Sequence, residues 1–478
     1  MSLKRALMSL VLLSACAAAH PAEGQGAGHQ ATRDDEKLAR ILREAQLKLD
    51  EARASAKFPG ATVGFVLHDG RSGSVSTGFA DLGTKTPLKP SDRMPAASIG
   101  KTFVAATALQ LVQEGKLSLD GKIGLWLGRE SWFGRLPNAE EITLRMLLNH
   151  SSGIRNHVDD GSFIKALFKN PDKVIKYEEL IAYVLDKKPL FPAGRGYSYS
   201  DTNYILAGLI IEKVTGKTLY EEVTRRILKP LRLDRTIPSD GPVLPEVANG
   251  YFQNKPVIVG GKFIINPQWE WAGGGFASTA EDLARWAKAL YAGDVLEKKS
   301  LDEMLRSTTT GEGANYGLGV EIVQSKWGKG YGHDGEFFGY LSVMRYYPNY
   351  GVAVAVQINS DETSGADRFL AGAVDDFAGI IIKGSSGWEA LSAKLKAKYA
   401  RENWGTALRP LLNKVGRVKT RRLKGVEYLD PAAGTVAVDF ESSFTKVSNA
   451  GETVILEMEA DGEWRVASYS IHLSESRD

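Results

Sequence analysis

Two pairs of strand-like segments at opposite ends of a long stretch constrain this fold most. Early in the chain, Ala61–His68 and Ser74–Phe79 read as strands joined by an Asp69-Gly70 turn. Much later, Tyr340–Tyr346 and Val352–Ile358 flank Pro348-Asn349-Tyr350-Gly351, a hairpin signal. The chain between them is mostly helical and loop-rich up to about residue 300. Strands at both ends of a helical insert predict one antiparallel sheet shared by the two ends of an α+β domain.

Three helices are well marked. From Asp34 to about Ala56, Leu38, Ile41, Leu42, Ala45 and Leu49 form one stripe, which Pro59-Gly60 stops. Asn203 to Val214 ends at Gly216. Ser278-Thr279-Ala-Glu-Asp282 resembles a capping box ahead of Leu283, Trp286, Ala287 and Leu290. Near Gly384-Ser385-Ser386-Gly387 the composition breaks, placing a boundary there. The remaining segment, 388–478, reads as a small α+β unit. It has a helix over about Trp388–Leu412 and strands at Val418–Leu423, Thr435–Glu441, Thr453–Glu459 and Trp464–Ile471, with a tight turn at Ala460–Glu463. Arg417, Lys419 and Arg421 alternate along its first strand, as on a charged edge that resists unwanted pairing.

At 478 residues the chain has room for a large core and a second domain. A net charge of +3 is too even to argue for nucleic acid as a partner. Lys4 and Arg5 precede the short apolar run Ala6–Leu13, the pattern of a signal peptide over 1–16. Leu13-Ser14-Ala15-Cys16 resembles a bacterial lipobox, so Cys16 is the expected lipidation site. The Ala/Gly/His-rich segment 17–33 is then expected to be a flexible tether. These features predict a cell-envelope, periplasmic location, with membrane association only through a lipid on Cys16. Cleavage near Ala17-Ala18-Ala19 would instead release a free periplasmic protein. Cys16 is the only cysteine, which rules out an intrachain disulfide.

Chemistry enters at Met94-Pro-Ala-Ala-Ser98-Ile-Gly-Lys101-Thr-Phe-Val-Ala-Ala. Ser98 and Lys101 are three residues apart at the start of an apolar, Ala-rich segment that reads as a buried helix. Positions i and i+3 share a helix face, so the amine can reach the hydroxyl oxygen. The positive end of the helix dipole also favours negative charge developing on Ser98. Ser-x-x-Lys recurs at Ser162/Lys165 and Ser443/Lys446, in a charged loop-like region and after a strand pattern. Only Ser98 opens a buried helix.

Two later stretches complete a set: Phe191-Pro-Ala-Gly-Arg-Gly-Tyr-Ser-Tyr199-Ser200-Asp201-Thr-Asn, and Gly330-Tyr-Gly-His333-Asp334-Gly335-Glu336-Phe-Phe-Gly-Tyr. With Ser98 they resemble the serine hydrolases of the class C β-lactamase and penicillin-binding protein family. Ile142-Thr-Leu-Arg-Met-Leu-Leu-Asn-His150-Ser-Ser-Gly153 and Ala272-Gly-Gly-Gly-Phe-Ala-Ser-Thr-Ala-Glu-Asp-Leu extend the likeness over roughly residues 35–380. His68-Asp-Gly and Tyr347-Pro-Asn imitate single motifs, but only Ser98, Tyr199 and His333 fall in the family's order.

The resemblance implies a β-lactamase/transpeptidase-like fold over 34–383, an antiparallel sheet flanked by helices plus a mostly helical subdomain. It implies Ser98 as the acylated nucleophile, Lys101 as the group that takes its proton, and Tyr199 as proton shuttle. His333 would line the cleft, and the backbone N–H groups of Ser98 and Glu336 would form the oxyanion hole. Gly335 would keep its strand bare so the acyl group can lie close. Neither a metal nor another cofactor is implied.

Two departures carry weight. Tyr-Ser-Asp stands where the family commonly has Tyr-x-Asn, and Asp201 would hold Lys101 as the ammonium and shift the role of base toward Tyr199. His333 stands where β-lactamases carry Lys, which weakens a carboxylate anchor. These departures point to small esters or related acyl compounds as substrates. A D,D-peptidase, D-aminopeptidase or β-lactamase acting on amides is the alternative, and a non-catalytic binding module the third. The C-terminal unit resembles a bacterial accessory domain of unknown function with a cystatin-like cone. The resemblance rests on Asn403-Trp404, Gly416-Arg417, Pro431, Phe440, Glu452-Thr-Val and Asp461-Gly-Glu-Trp464-Arg-Val.

Overall fold

The structure is a computed structural model that describes residues 27–307, 315–362, 366–385, 418–430, 435–444, 446–447, 450–458 and 464–473. The described residues divide into two compact units. One is Leu42–Val66 with Ser72–Ala378, and the other draws on Met1–Ile41, Leu67–Arg71 and Gly379–Asp478. The signal-like segment, Cys16, the expected helix at 388–412 and the turn at 460–463 lie outside the described residues.

The first helix, α1 (Ala27–Ala56), begins within the segment expected to be a tether. After Gly28 that stretch holds Gln, Ala and Arg and no proline, so nothing stops a helix from extending backward through it. Ile41, Ala45 and Leu49 of the expected stripe are fully buried.

The large unit is built on one seven-stranded antiparallel sheet. Its strands are β1 (Gly60–Val66), β2 (Ser72–Asp81), β3 (Thr86–Pro87), β4 (Glu321–Ser325), β5 (Gly328–Phe337), β6 (Tyr340–Tyr347) and β7 (Val352–Ile358). They lie in the order β4-β5-β6-β7-β1-β2-β3. The two hairpins read from the sequence therefore meet at β1 and β7, with Val63 opposite Val356. Strands β1, β6 and β7 are buried along their whole length, which accounts for their nearly unbroken apolar sequences.

The insert supplies the helical side of the core. Helix α2 (Gly100–Gln113) is buried from Gly100 to Leu109, so its sequence is apolar nearly all round. Helix α3 (Asp201–Thr215) ends at Gly216, where φ is 67°. Helix α4 (Ala280–Ala292) is capped by Thr279, whose hydroxyl accepts from the Asp282 amide at 3.3 Å, and packs on β1 and β7.

A short three-stranded sheet orders Met94–Pro95, Phe276–Ser278 and Ile237–Pro238, with Phe276–Ser278 in the middle. It anchors the chain just before Ser98. Helix α5 (Ala366–Ser385) runs through Gly384 and Ser385, so the first two residues of the composition break are helical. A Cβ on Gly384 would stand 2.5 Å from Ile41, which explains the glycine by close packing instead.

The C-terminal unit contains a four-stranded antiparallel meander, β8 (Val418–Asp430), β9 (Thr435–Phe444), β10 (Ala450–Met458) and β11 (Trp464–Leu473), in sequential order. Val436, Val438, Val454 and Leu456 alternate on one buried face. The basic strand β8 lies at the edge. Among the described residues, no helix is long and apolar enough to cross a membrane.

Candidate active site

Ser98 sits in a 3₁₀ turn, Ala97–Ile99, that leads directly into α2. The turn is held from two sides. The Ala96 amide donates to Phe276 at 2.8 Å, and the Ser342 hydroxyl donates to the Ala96 carbonyl at 2.9 Å. Ala97 takes φ 49°, a left-handed conformation that costs an alanine about 1–2 kcal/mol. Tertiary packing thus imposes a fixed aim on the serine that follows.

The i, i+3 geometry expected from the sequence is present. Lys101 Nζ donates to Ser98 Oγ at 2.9 Å. The amine is completely buried, and its other two donors go to Asp201 Oδ1 and the Gly273 carbonyl. All three ammonium protons therefore have acceptors, and Asp201 does point at Lys101. Asp201 is placed there by the first turn of α3, where its amide donates to Asn156 Oδ1 at 3.1 Å.

Tyr199 lies beside both groups. Lys101 Nζ is 4.8 Å from its ring centroid, and its phenol hydrogen-bonds Ser98. Burial, and secondarily the Asp201 charge, push the phenol well above its usual value. The expected shift of the base role to Tyr199 therefore meets opposition. The same carboxylate that holds the ammonium also disfavours a phenolate.

His333 is brought in by β5 and is buried. Its Nδ1 lies 2.6 Å from the Asp334 carbonyl, which can only accept, so Nδ1 carries the proton. Nε2 then accepts from the Tyr316 hydroxyl at 2.7 Å. Burial and the nearby Lys101 charge lower His333 to about 3, so the ring is neutral at physiological pH. It supplies no fixed positive charge.

Ser98, Tyr199, His333, Gly335 and Glu336 line one cavity of about 530 Å³. Its wall also carries Glu321, Asp334 and Asp375. Arg345 is the one cation in that lining, and it is committed to Glu321 at 2.8 Å and Asp334 at 2.6 Å. Asp334 and Glu336 alternate along β5 with His333 and Gly335, so their side chains stand on the opposite face of the sheet, where Arg345 pairs with Asp334 and Glu321. Strand β5 pairs with β6 from Tyr331 to Phe337 but with β4 only from Gly328 to Gly332. Beyond Gly332, no described strand covers the β4-side backbone edge of β5, and Glu336 lies on that stretch.

Packing alone already requires a glycine at position 335. A Cβ there would lie 2.3 Å from the Ala96 carbonyl and 2.5 Å from Ser342 Oγ, beneath the nucleophile turn. Gly335→Ala should therefore push the Ala96–Ser98 backbone aside. The expected result is a loss of about 1–3 kcal/mol in denaturant unfolding and at least a tenfold fall in kcat/KM. An unchanged kcat would show that the turn tolerates displacement.

Three participants escaped the sequence reading. Tyr316 donates to His333 Nε2, yet Asn315-Tyr-Gly-Leu-Gly carries no recognisable pattern. Gly273 acts through its carbonyl, which no side-chain motif reports. His150 stacks on Tyr199 at 4.3 Å and accepts at Nδ1 from the Ser200 amide at 3.2 Å. Its stretch was noted, but it was given no role. Ser162, from a competing Ser-x-x-Lys, instead bonds Asp160 on an exposed helix start. Among the described residues, no cluster of His, Cys, Asp and Glu could hold a metal ion.

The family model for beta-lactamase matches residues 45–378, most of the chain and the whole of this site. The chain belongs to that family and is one of its serine hydrolases. A second model, a protein of unknown function (DUF4019), matches residues 382–469. Penicillin-binding protein 4* of Bacillus subtilis (strain 168) is 26% identical over 306 residues, covering 60% of this chain and 65% of that protein. The lovastatin esterase of Penicillium rubens is 30% identical over 260 residues, covering 47% and 62%. The chain thus spans just under two thirds of the length of these relatives. A D-stereospecific amidohydrolase from Streptomyces sp. superposes with a TM-score of 0.62 at 29% identity, covering 69% of this chain and 98% of that one.

Proposed function

We propose that the protein hydrolyses small esters and amides through an acyl-Ser98 intermediate, with substrates that carry no carboxylate near the scissile bond. The observation that carries this reading is the buried Lys101 amine, 2.9 Å from the Ser98 Oγ, with Ser98 itself lining the cavity. Lys101 gives up one ammonium proton before reaction and, as the amine, accepts the proton of Ser98. Ser98 Oγ bonds to the carbonyl carbon, and the oxyanion is received by the N–H groups of Ser98 and Glu336. Tyr199, kept protonated by burial, donates to the leaving group as the acyl–leaving-group bond breaks, and is reprotonated from Lys101. Water then cleaves the acyl-enzyme by the reverse proton path.

Similarity to an esterase and to an amidohydrolase supports both bond types. Similarity to a penicillin-binding protein favours a second reading, cleavage of a peptidoglycan-type or β-lactam amide. The neutral His333 and the paired Arg345 weigh against it, because neither is free to hold a substrate carboxylate. An envelope location, with lipid on Cys16, rests on the sequence of residues 1–16 and on the penicillin-binding relative.

The test is turnover of three chromogenic substrates: a short-chain p-nitrophenyl ester, an amino-acid p-nitroanilide with a free amine, and a cephalosporin. The ester and the free-amine anilide should exceed the cephalosporin by on the order of 100-fold in kcat/KM. Cephalosporin turnover equal to the ester's would move the protein to the cell-wall branch.

A further inference from the structure

The segment Pro267–Gly273 packs against α2 and α3 and ends on the Gly273 carbonyl that accepts from Lys101. Inside it, Glu270 is buried between Trp269 and Trp271 in sequence. Its Oε2 has no hydrogen-bond partner among the described residues. Trp271 is held at φ 39° and ψ −114°, so the backbone joining Glu270 to Gly273 is strained as well as buried. The groups that bear on the Glu270 carboxyl are Lys101 from α2 and Asp201 from α3, with the Tyr220 phenol interacting from the helix Leu219–Val223.

We propose that Glu270 is a positioning residue for Lys101. Protonated, it leaves Asp201 as the carboxylate that bears on the amine; ionised, it holds the ammonium form and caps the rate at alkaline pH. This rests on Lys101 acting as the base toward Ser98. Burial pushes the carboxyl up to about 8, although the Lys101 charge pulls the other way.

The sign follows from counting protons. At neutral pH Glu270 is uncharged, and the active amine forms with Asp201 as the carboxylate beside it. Above the Glu270 ionisation, a second carboxylate bears on the amine. Its charge favours the ammonium, so the amine population levels off. Glutamine has the shape of the protonated acid but cannot ionise.

The experiment is the pH profile of kcat/KM for wild type and Glu270→Gln, corrected with Ser98→Ala. The two should agree within about twofold near pH 6.5, while wild type levels off and Glu270→Gln continues to rise, exceeding it by on the order of 10-fold near pH 9.5. Superimposed profiles, or a uniform deficit at every pH, would overturn the proposal. A second measurement needs no variant. Infrared titration of the wild type should show a carboxylic-acid C=O band at neutral pH that is lost around pH 8, and its absence also overturns the proposal. Turnover persisting in Ser98→Ala would defeat the acyl-Ser98 reading instead, and the infrared titration would still decide whether Glu270 holds a proton.

Discussion

Ser98→Ala is expected to lower kcat/KM by on the order of 10⁴-fold or more, leaving only what binding and the oxyanion donors supply. No neighbour can take over as nucleophile. His333 Nε2 is occupied by Tyr316, and Tyr199 is held protonated by burial. The substitution is also structurally quiet. Lys101 loses one of three acceptors and keeps Asp201 and Gly273, so unfolding stability should change by about 1 kcal/mol. The pairing of a near-total kinetic loss with an intact fold is what identifies the nucleophile. Turnover within tenfold of wild type in a correctly folded Ser98→Ala protein would place the reacting group elsewhere.

Lys101→Met should be nearly as damaging to rate, on the order of 10³-fold or more, because methionine fills the volume but carries no proton. Its stability signature should differ. Lys101 is fully buried while the Asp201 side chain is 20% exposed, so removing the amine strands a carboxylate that water reaches only in part. A loss of about 1–3 kcal/mol is expected, below the range for a wholly buried broken pair. Adding Asp201→Asn should recover part of that stability and none of the rate. Combining Lys101→Met with Ser98→Ala should cost no more rate than Ser98→Ala alone, since residues that act as one unit are not additive. A double variant clearly worse than either single one would mean that Lys101 works apart from Ser98. Denaturant midpoints and kcat/KM on the four proteins decide this.

Glu270 and Asp201 then take complementary parts around one amine. Asp201 is the standing carboxylate partner, close and partly solvated, whereas Glu270 is buried and its charge depends on pH. Each element of the site reaches Lys101 from a different part of the chain: Ser98 from its own helix start, Asp201 from α3, and Gly273 from the strained segment.

What the amino-acid sequence determined by itself is the part governed by short periods. The Ser98–Lys101 pair was legible because three residues along a helix return to the same face. The antiparallel sheet was legible because β1, β6 and β7 are largely apolar runs, and β2 a short strand pattern, all bounded by turn residues. The order of Ser98, Tyr199 and His333 carried the resemblance to the family. The backward extension of α1 to Ala27 was missed because helix starts are weakly encoded, and the helix through Gly384 because glycine reads as a break when its packing partner is unseen.

Only the tertiary structure decided the state of the site. It neutralised His333 by burying it near the Lys101 charge, put the Ala96 carbonyl where a Gly335 side chain would go, and buried Glu270 in the segment whose Gly273 carbonyl accepts from Lys101. These are effects of desolvation and of contacts between distant segments. They depend on which groups exclude water from one another, and no local pattern of residues records that.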